Sequence, residues 1–191
     1  MNKLLGSFLA LAEPHFDSTE DIMSEVIDFL RKQLEIHNLH FLKKPILIGG
    51  MAMEYYGMRK SGEDIDLIIC NDDYLNLARK YPDNRKDIFG DLGVVIWPFE
   101  IWRSIAHLDY DFYKANAIEH DVVSVVSIDR LLLMRVCAID VQKYKDDLIL
   151  IKEYYYSHFT NKEFHKEAEA HFLSYKKNNG TVFGGKYVEE S

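Results

Sequence analysis

The feature that most constrains this fold is a short apolar run, Ile46-Leu47-Ile48, that leads directly into Gly49 and Gly50. An apolar run of this length that stops at glycine is typical of a buried strand followed by a tight turn. The next residues, 51–56, predict a short helix that Gly57 ends. Glycine carries no Cβ and a helix start favours negative charge, so such a junction can hold a phosphate against its backbone N–H groups.

A second strand is predicted by the segment Asp64-Ile65-Asp66-Leu67-Ile68-Ile69. Residues two apart on a strand point to the same face, which places the Asp64 and Asp66 carboxylates side by side. A divalent cation relieves their mutual repulsion, and Mg²⁺ prefers carboxylate and phosphate oxygens. Two such ions could activate a hydroxyl and stabilise a leaving pyrophosphate. A glycine turn or an aspartate pair alone is usually only structural, but their order and short separation make the combination specific.

The rest of the chain indicates an α+β protein. We predict a core with an N-terminal helix at 1–126, helices packed on it at 127–177, and a mobile tail at 178–191. Beyond the two strands above, strands are predicted at 92–97, where Pro98 stops the strand, and at 117–118 and 122–126. The other helices are predicted at 19–38, 72–80, 99–105, from Ser127 onward, 145–156 and 162–177.

Composition excludes several classes of protein. The net charge of −8 argues against a protein that coats duplex nucleic acid, although it leaves room for a local basic pocket. Two distant cysteines, Cys70 and Cys137, cannot build a disulfide framework or a cysteine-rich zinc site. No apolar run approaches the roughly 20 residues of a membrane span, and the N-terminus lacks the features of a signal peptide. We therefore expect a soluble, cytoplasmic protein with no membrane partner.

The stretch from Ile46 to Ile69 resembles the signature of the DNA polymerase β-type nucleotidyltransferase superfamily, in which Gly-Gly or Gly-Ser opens a helix and Asp-x-Asp lies on the next strand. With Ala52, Gly57-Met58-Arg59 and Asp64-Ile65-Asp66, it is most similar to the branch that contains the abortive-infection AbiEii-type toxins. The motif spans 46–69, and the element order over the first two-thirds of the chain also fits. The resemblance implies a nucleotidyltransferase fold, a small mixed β-sheet with flanking helices and a C-terminal helical part.

The resemblance also implies Mg²⁺ as a cofactor and a nucleoside triphosphate as a substrate. A nucleoside monophosphate would pass to an acceptor such as a tRNA end, a protein side chain or a small molecule, and an antitoxin-like partner is implied too. Residue by residue, the resemblance assigns the triphosphate to Gly49 and Gly50, the metal to Asp64 and Asp66, and the neighbourhood of the phosphates to Arg59 or Lys60. Relatives commonly carry Ser or Thr where this chain has Gly62, and Ser61 could substitute.

A third carboxylate, the base for the acceptor hydroxyl in the family, has two candidates. Asp91 precedes the strand at 92–97 and is the better one by position, although Gly90 and Gly93 flank it and it could be a turn residue. Glu100 is the alternative, but the prediction places it on a helix beyond Pro98.

Toxin relatives also carry a basic residue on a helix after the sheet and an acidic residue further on. Arg135 and the run Lys145-Asp146-Asp147 could match these, or could be ordinary helix residues. If neither third carboxylate serves, the chain is a catalytically inactive relative that binds a nucleotide or a partner protein. A third alternative is an interaction protein in which the glycine turn and the aspartate pair are coincidental.

Overall fold

The computed structural model describes residues 19–158. The predicted helix at 162–177 and the predicted tail at 178–191 lie outside these residues. Within the described part, helices and strands mix along the chain, as expected of an α+β protein. None of the helices in this part combines the length and apolar character that crossing a bilayer requires.

Six α-helices and nine strands make up the described part of the chain. The helices are α1 (Thr19–Ile36), α2 (Gly49–Tyr55), α3 (Asn71–Lys80), α4 (Tyr110–Lys114), α5 (Ile128–Cys137) and α6 (Gln142–His158). The strands are β1 (Ile46–Leu47), β2 (Ile65–Ile68), β3 (Arg85–Ile88), β4 (Asp91–Ile96), β5 (Phe99–Trp102), β6 (Ser104–Ile105), β7 (Leu108–Asp109), β8 (Ile118–Glu119) and β9 (Ser124–Val125).

Seven of these strands form one mixed sheet in the order β3-β4-β5-β2-β1-β9-β8. Strands β1 and β2 are antiparallel, whereas β2 and β5 are parallel, with Asp66 paired to Glu100. Strands β3, β4 and β5 continue the sheet as an antiparallel meander, and β9 pairs in parallel with β1 on the other side. The parallel contact between β2 and β5 brings residues far apart in sequence side by side at the centre of the sheet.

The core lies at the centre of the sheet and beneath the helices that cover it. All of β1 is buried, and Ile65, Leu67 and Ile68 of β2 are fully buried. Helix α1 covers α2 with a stripe of apolar residues at helical spacing, Val26, Ile27, Leu30 and Leu34. Leu131 of α5 and Ile151 and Tyr155 of α6 belong to the same hydrophobic cluster as the strands. The last two described helices therefore pack on the core of the sheet.

The segment 99–105 differs from its prediction. It forms β5 and β6, and the predicted short helix is wrong. Residues 97 and 98 make the turn of a hairpin, and β5 restarts immediately after Pro98 to pair with both β4 and β2. In β5 the buried Phe99 and Ile101 alternate with Glu100, the period-two pattern of a strand. Strand pairing on both sides outweighs the local helical tendency of this segment.

Three further elements were not predicted. Strand β3, Arg85-Lys86-Asp87-Ile88, is polar and lies at the edge of the sheet, so its sequence lacks the apolar alternation that indicates a strand. The small β6–β7 hairpin and the short helix α4 are each too brief to leave a periodic signal. The remaining described elements lie close to their predicted positions.

Candidate functional site

The glycine turn lies directly against Asp66. Gly49 has a φ of +69°, in the left-handed region that favours glycine. A Cβ built on Gly49 would lie 2.1 Å from Oδ2 of Asp66, so no side chain fits there. Gly50 is open by comparison, since the nearest side-chain atom to its Cβ would be Nη1 of Arg59, at 3.6 Å. Glycine at position 49 therefore allows the Asp66 carboxylate to pack directly against the main chain.

The charges of the two predicted metal ligands, Asp64 and Asp66, interact with each other. Asp66 is on β2, and Asp64 is the residue immediately before that strand. A Cβ at Gly62 would lie 2.8 Å from Oδ1 of Asp64, so glycine again leaves room for a carboxylate. Burial raises the pKa of Asp66 from 3.8 to about 6, and the charges of Asp64 and Glu100 add to the increase. Arg135 and Trp102 counteract it in part.

Glu100 is the carboxylate that sequence reasoning ranked second. It lies on β5 directly beside Asp66 on β2, in a parallel pairing that puts both side chains on one face of the sheet. Lys86 of β3 reaches across β4 and donates to both carboxylate oxygens of Glu100, at 3.1 and 3.2 Å. Lys86 can cross because its pairing partner on β4 is Gly93, which has no side chain.

Asp91, the preferred candidate for the third carboxylate, is held by other groups. It is buried at the start of β4, and its oxygens accept hydrogen bonds from Ser104 Oγ (2.8 Å) and from the backbone N–H groups of Ala106 (2.7 Å) and His107 (2.9 Å). These bonds tie the β6 region to β4. Asp91 therefore holds the segment 104–107 against β4. Glu100 is the carboxylate that lies beside Asp66.

Arg59, Arg135 and Asp147 form one ionic cluster. Arg59 donates to both oxygens of Asp147, from Nε at 2.6 Å and from Nη2 at 3.1 Å. Nε of Arg135 lies 2.8 Å from Oδ2 of the same carboxylate. Asp147 and Arg135 are buried, so this carboxylate is shared between two cations inside the protein. The basic and acidic residues considered on the later helices are therefore brought together, and the charge of Asp66 also acts on Arg135.

Lys60 and Ser61, predicted to lie near the phosphates, are bound to Glu54 of α2. Lys60 Nζ lies 2.9 Å from Oε1 of Glu54, and Ser61 donates to Oε2 from its Oγ at 2.6 Å and from its backbone N–H at 2.9 Å. Burial works to raise the pKa of Glu54, but the bonds from Ser61 and Lys60 outweigh it and lower the pKa. These contacts fasten the segment between α2 and β2.

A cavity of about 630 Å³ opens beside the carboxylates. One wall is the sheet face that carries Asp66, Glu100 and Trp102, and the opposite wall comes from α5, from the start of α6 and from the segment between them. The remaining lining residues are Ile48, Lys86, Ile88, Phe89, Asp91, Ile105, Ala106, Met134, Arg135, Cys137, Ala138, Asp140, Val141 and Tyr144. The volume is in the range of small-molecule pockets, about 300–1,000 Å³.

The donor set is suited to a hard divalent cation. Across residues 19–158 no group of three or more His, Cys, Asp and Glu side chains stands already arranged around a metal position. Asp64 and Asp66, with Glu100 on the neighbouring strand, nevertheless supply only carboxylate oxygens, which Mg²⁺ prefers. Burial is the main cause of the raised pKa of Asp66, and repulsion from Asp64 and Glu100 adds to it; a cation would relieve that repulsion. Asp64 and Asp66 are the residues that would hold it.

In the sequence analysis Glu100 ranks below Asp91, and Lys86 is not considered. A signal for Glu100 was present, because Phe99-Glu100-Ile101 repeats the apolar–acidic–apolar pattern of Ile65-Asp66-Leu67. That pattern points a carboxylate out of a buried strand in both cases. Nothing in the sequence pairs Lys86 with Glu100, because the contact depends on the register of three strands.

A comparison of the chain with models of protein families finds no match, and a comparison with curated proteins finds no significant relative.

Proposed function

We propose that this protein is an Mg²⁺-dependent nucleotidyltransferase with a fold of the DNA polymerase β type, similar to the AbiEii-type toxins. The observation that carries the proposal is the pairing of Asp66 on β2 with Glu100 on the parallel strand β5, with Asp64 just before β2 and the Gly49–Gly50 turn against Asp66. The antiparallel pairing of β1 with β2 and the parallel pairing of β2 with β5 support the same fold.

The reaction transfers a nucleoside monophosphate from a nucleoside triphosphate to an acceptor hydroxyl. The hydroxyl oxygen forms a bond to the α-phosphorus, the bond from that phosphorus to the bridging oxygen breaks, and pyrophosphate leaves with the electron pair. Glu100 accepts the hydroxyl proton, which makes it the general base. Asp64 and Asp66 would hold Mg²⁺, which would supply positive charge to the phosphate oxygens.

The cations near the site have complementary roles. Arg59 lies beside the open face of Gly50, where the backbone can approach the triphosphate. Arg135 lies near Asp66 and offsets part of the negative charge there. Asp147 fixes both guanidinium groups, so they are oriented before a nucleotide binds.

A second candidate function is a catalytically inactive member of the same fold that binds a nucleotide or a partner protein, as in a toxin–antitoxin pair. The pairing of Lys86 with both oxygens of Glu100 favours this alternative, because a base must have an oxygen available to the acceptor proton. Binding of a nucleotide with no transfer to any acceptor would support it.

The experiment follows label from α-phosphate-labelled nucleoside triphosphates into RNA, protein and small-molecule fractions of a cell extract. We expect Glu100→Gln to lower transfer by about 10²–10⁴-fold, the usual contribution of a general base. Asp91→Asn should destabilise the protein but retain transfer at temperatures where it stays folded. Full activity in the Glu100→Gln variant, or selective loss in a folded Asp91→Asn variant, would contradict the assignment of the base.

A further inference from the structure

We propose that the cavity beside Glu100 binds the acceptor, and that the acceptor is a small molecule with an apolar, aromatic body and a free hydroxyl. The inference rests on the proposed function and names the substrate class of the same site. Three independent features of the cavity carry it: its position across the sheet, its charge and the chemistry of its walls.

Most of the cavity lies on the side of Asp66 that faces away from the glycine turn. Across the sheet, the turn follows β1, Asp66 is on β2, Glu100 is on β5 and Lys86 is on β3. The cavity begins at Asp66 and at Ile48, the residue before the turn, and extends towards β3; its described lining includes neither Gly49 nor Gly50. If the turn holds the β- and γ-phosphates, pyrophosphate leaves towards the turn, and the attacking hydroxyl must approach the α-phosphorus from the opposite side. Glu100 stands where that hydroxyl would lose its proton.

The charge of the cavity disfavours a nucleic acid acceptor. Its described lining carries four carboxylates, Asp66, Asp91, Glu100 and Asp140, against two cations. Both cations are already paired, Lys86 with Glu100 and Arg135 with Asp147. A phosphodiester chain needs cations to offset its own charge. The cavity therefore suits an acceptor that brings no phosphates.

The walls of the cavity are apolar and aromatic. Trp102, Met134 and Tyr144 line the interior. Phe89 and Val141 lie at the rim, where their side chains are 67% and 49% exposed. Burial of such surface contributes about 25 cal/mol per Å² of apolar area removed from water. A flat apolar ring that enters between these residues would contact the apolar walls, and its hydroxyl would lie towards Glu100.

The binding test uses 1-naphthol, which has one aromatic body, one hydroxyl and no charge. The chain contains two tryptophans, so a Trp97→Phe background leaves Trp102 in the cavity as the only one. We expect saturable quenching of Trp102 fluorescence by 1-naphthol. Ala138→Phe fills the cavity and should weaken this binding by at least about tenfold. The matched control Ala115→Phe, at an exposed position outside the described lining, should leave it unchanged.

Competition separates the possible occupants. We expect 1-naphthol to bind equally well with and without each Mg-nucleoside triphosphate, and a short RNA oligonucleotide not to displace it. Displacement by a nucleotide would assign the cavity to the nucleobase, and displacement by RNA would assign it to a nucleic acid end; either result, or no saturable quenching, overturns the proposal. If 1-naphthol binds but no nucleotide does, the proposed transferase function fails while the apolar preference of the cavity stands.

Discussion

Asp66 is the residue of the site whose charge lowers the stability of the folded chain. Its carboxylate is crowded by protein atoms and faces two other carboxylates, and its pKa is raised from 3.8 to about 6. Ionised Asp66 therefore destabilises the folded chain above pH 6, because the unfolded chain ionises the same group at lower pH. The site holds this charge at a cost to stability, which is common where a carboxylate is kept for function.

We predict that Asp66→Asn stabilises the metal-free protein at about pH 8 by about 1–3 kcal/mol. The gain should shrink as the pH falls from about 6 to about 4, since the wild-type carboxylate then takes up its proton in the folded state. Urea unfolding of both proteins across this pH range measures the difference. A variant that is less stable than the wild type at about pH 8 would contradict the account.

Substitutions at Gly49 and Gly57 can separate the cost of a left-handed backbone from the cost of displacing the Asp66 carboxylate. Both have a φ of +69°, but a Cβ at Gly57 would meet nothing within 4 Å, whereas one at Gly49 would overlap Asp66. We predict that Gly57→Ala costs about 1–2 kcal/mol of stability, the price of left-handed backbone alone. Gly49→Ala should cost about 1–3 kcal/mol more, because the Asp66 side chain must shift.

Denaturant unfolding and nucleotide titration of the two glycine variants test this. Gly57→Ala should keep nucleotide binding, and Gly49→Ala should weaken it even where the variant is fully folded. Equal costs in the two variants would mean that the contact between Gly49 and Asp66 has no energetic consequence.

At the scale of elements, Asp147 fastens α6 to both α5 and the loop after α2. It is buried between Arg59 and Arg135, and loss of its charge would leave two neighbouring guanidinium groups without their shared partner. We predict that Asp147→Ala lowers the free energy of unfolding by about 3–5 kcal/mol. The adjacent Asp146→Ala, at an exposed position, should change it by less than about 0.5 kcal/mol. Thermal and urea unfolding of the two variants measure the difference. Equal free energies of unfolding in Asp147→Ala and Asp146→Ala would contradict a stabilising role for this ionic cluster.

The sequence predicted those elements whose conformation depends mainly on residues that are near neighbours in the chain. The apolar run before Gly49 and the aspartates two apart predicted β1, α2 and β2 well, because a turn and a strand face depend on near neighbours. The helix predicted after Pro98 was wrong because the structure of this segment depends on distant strands. Phe99–Trp102 is a strand because β2 and β4 pair with it from both sides, and neither partner is identifiable from the residues near Glu100.

The same distinction applies to the site. Asp64 and Asp66 could be singled out from spacing, whereas the choice between Asp91 and Glu100 depends on which strand pairs with β2. Arg59 and Asp147 are 88 positions apart, and only the docking of α6 brings them together. Lys60 and Ser61 were assigned to the phosphates through the family resemblance, and nothing in the sequence indicates that Glu54 binds both of them.

At the scale of the whole molecule, the sheet gathers the carboxylates at its centre and α5 and α6 close one side of them. Gly49 lies against Asp66, and most of the cavity extends from Asp66 towards β3, so the proposed nucleotide and acceptor regions adjoin at Asp66. The chain as a whole carries a net charge of −8, and the cations of the site are already paired within the protein. This arrangement is suited to a nucleotide brought in with a divalent cation.

Calorimetric titration of ATP, GTP, CTP and UTP, each with and without Mg²⁺, tests the central claim most directly. We predict saturable binding of at least one nucleotide that requires Mg²⁺ and is lost in the Asp64→Asn/Asp66→Asn double variant, while that variant remains folded. Binding of none of the four nucleotides, or binding that is unchanged in the double variant, would contradict the account.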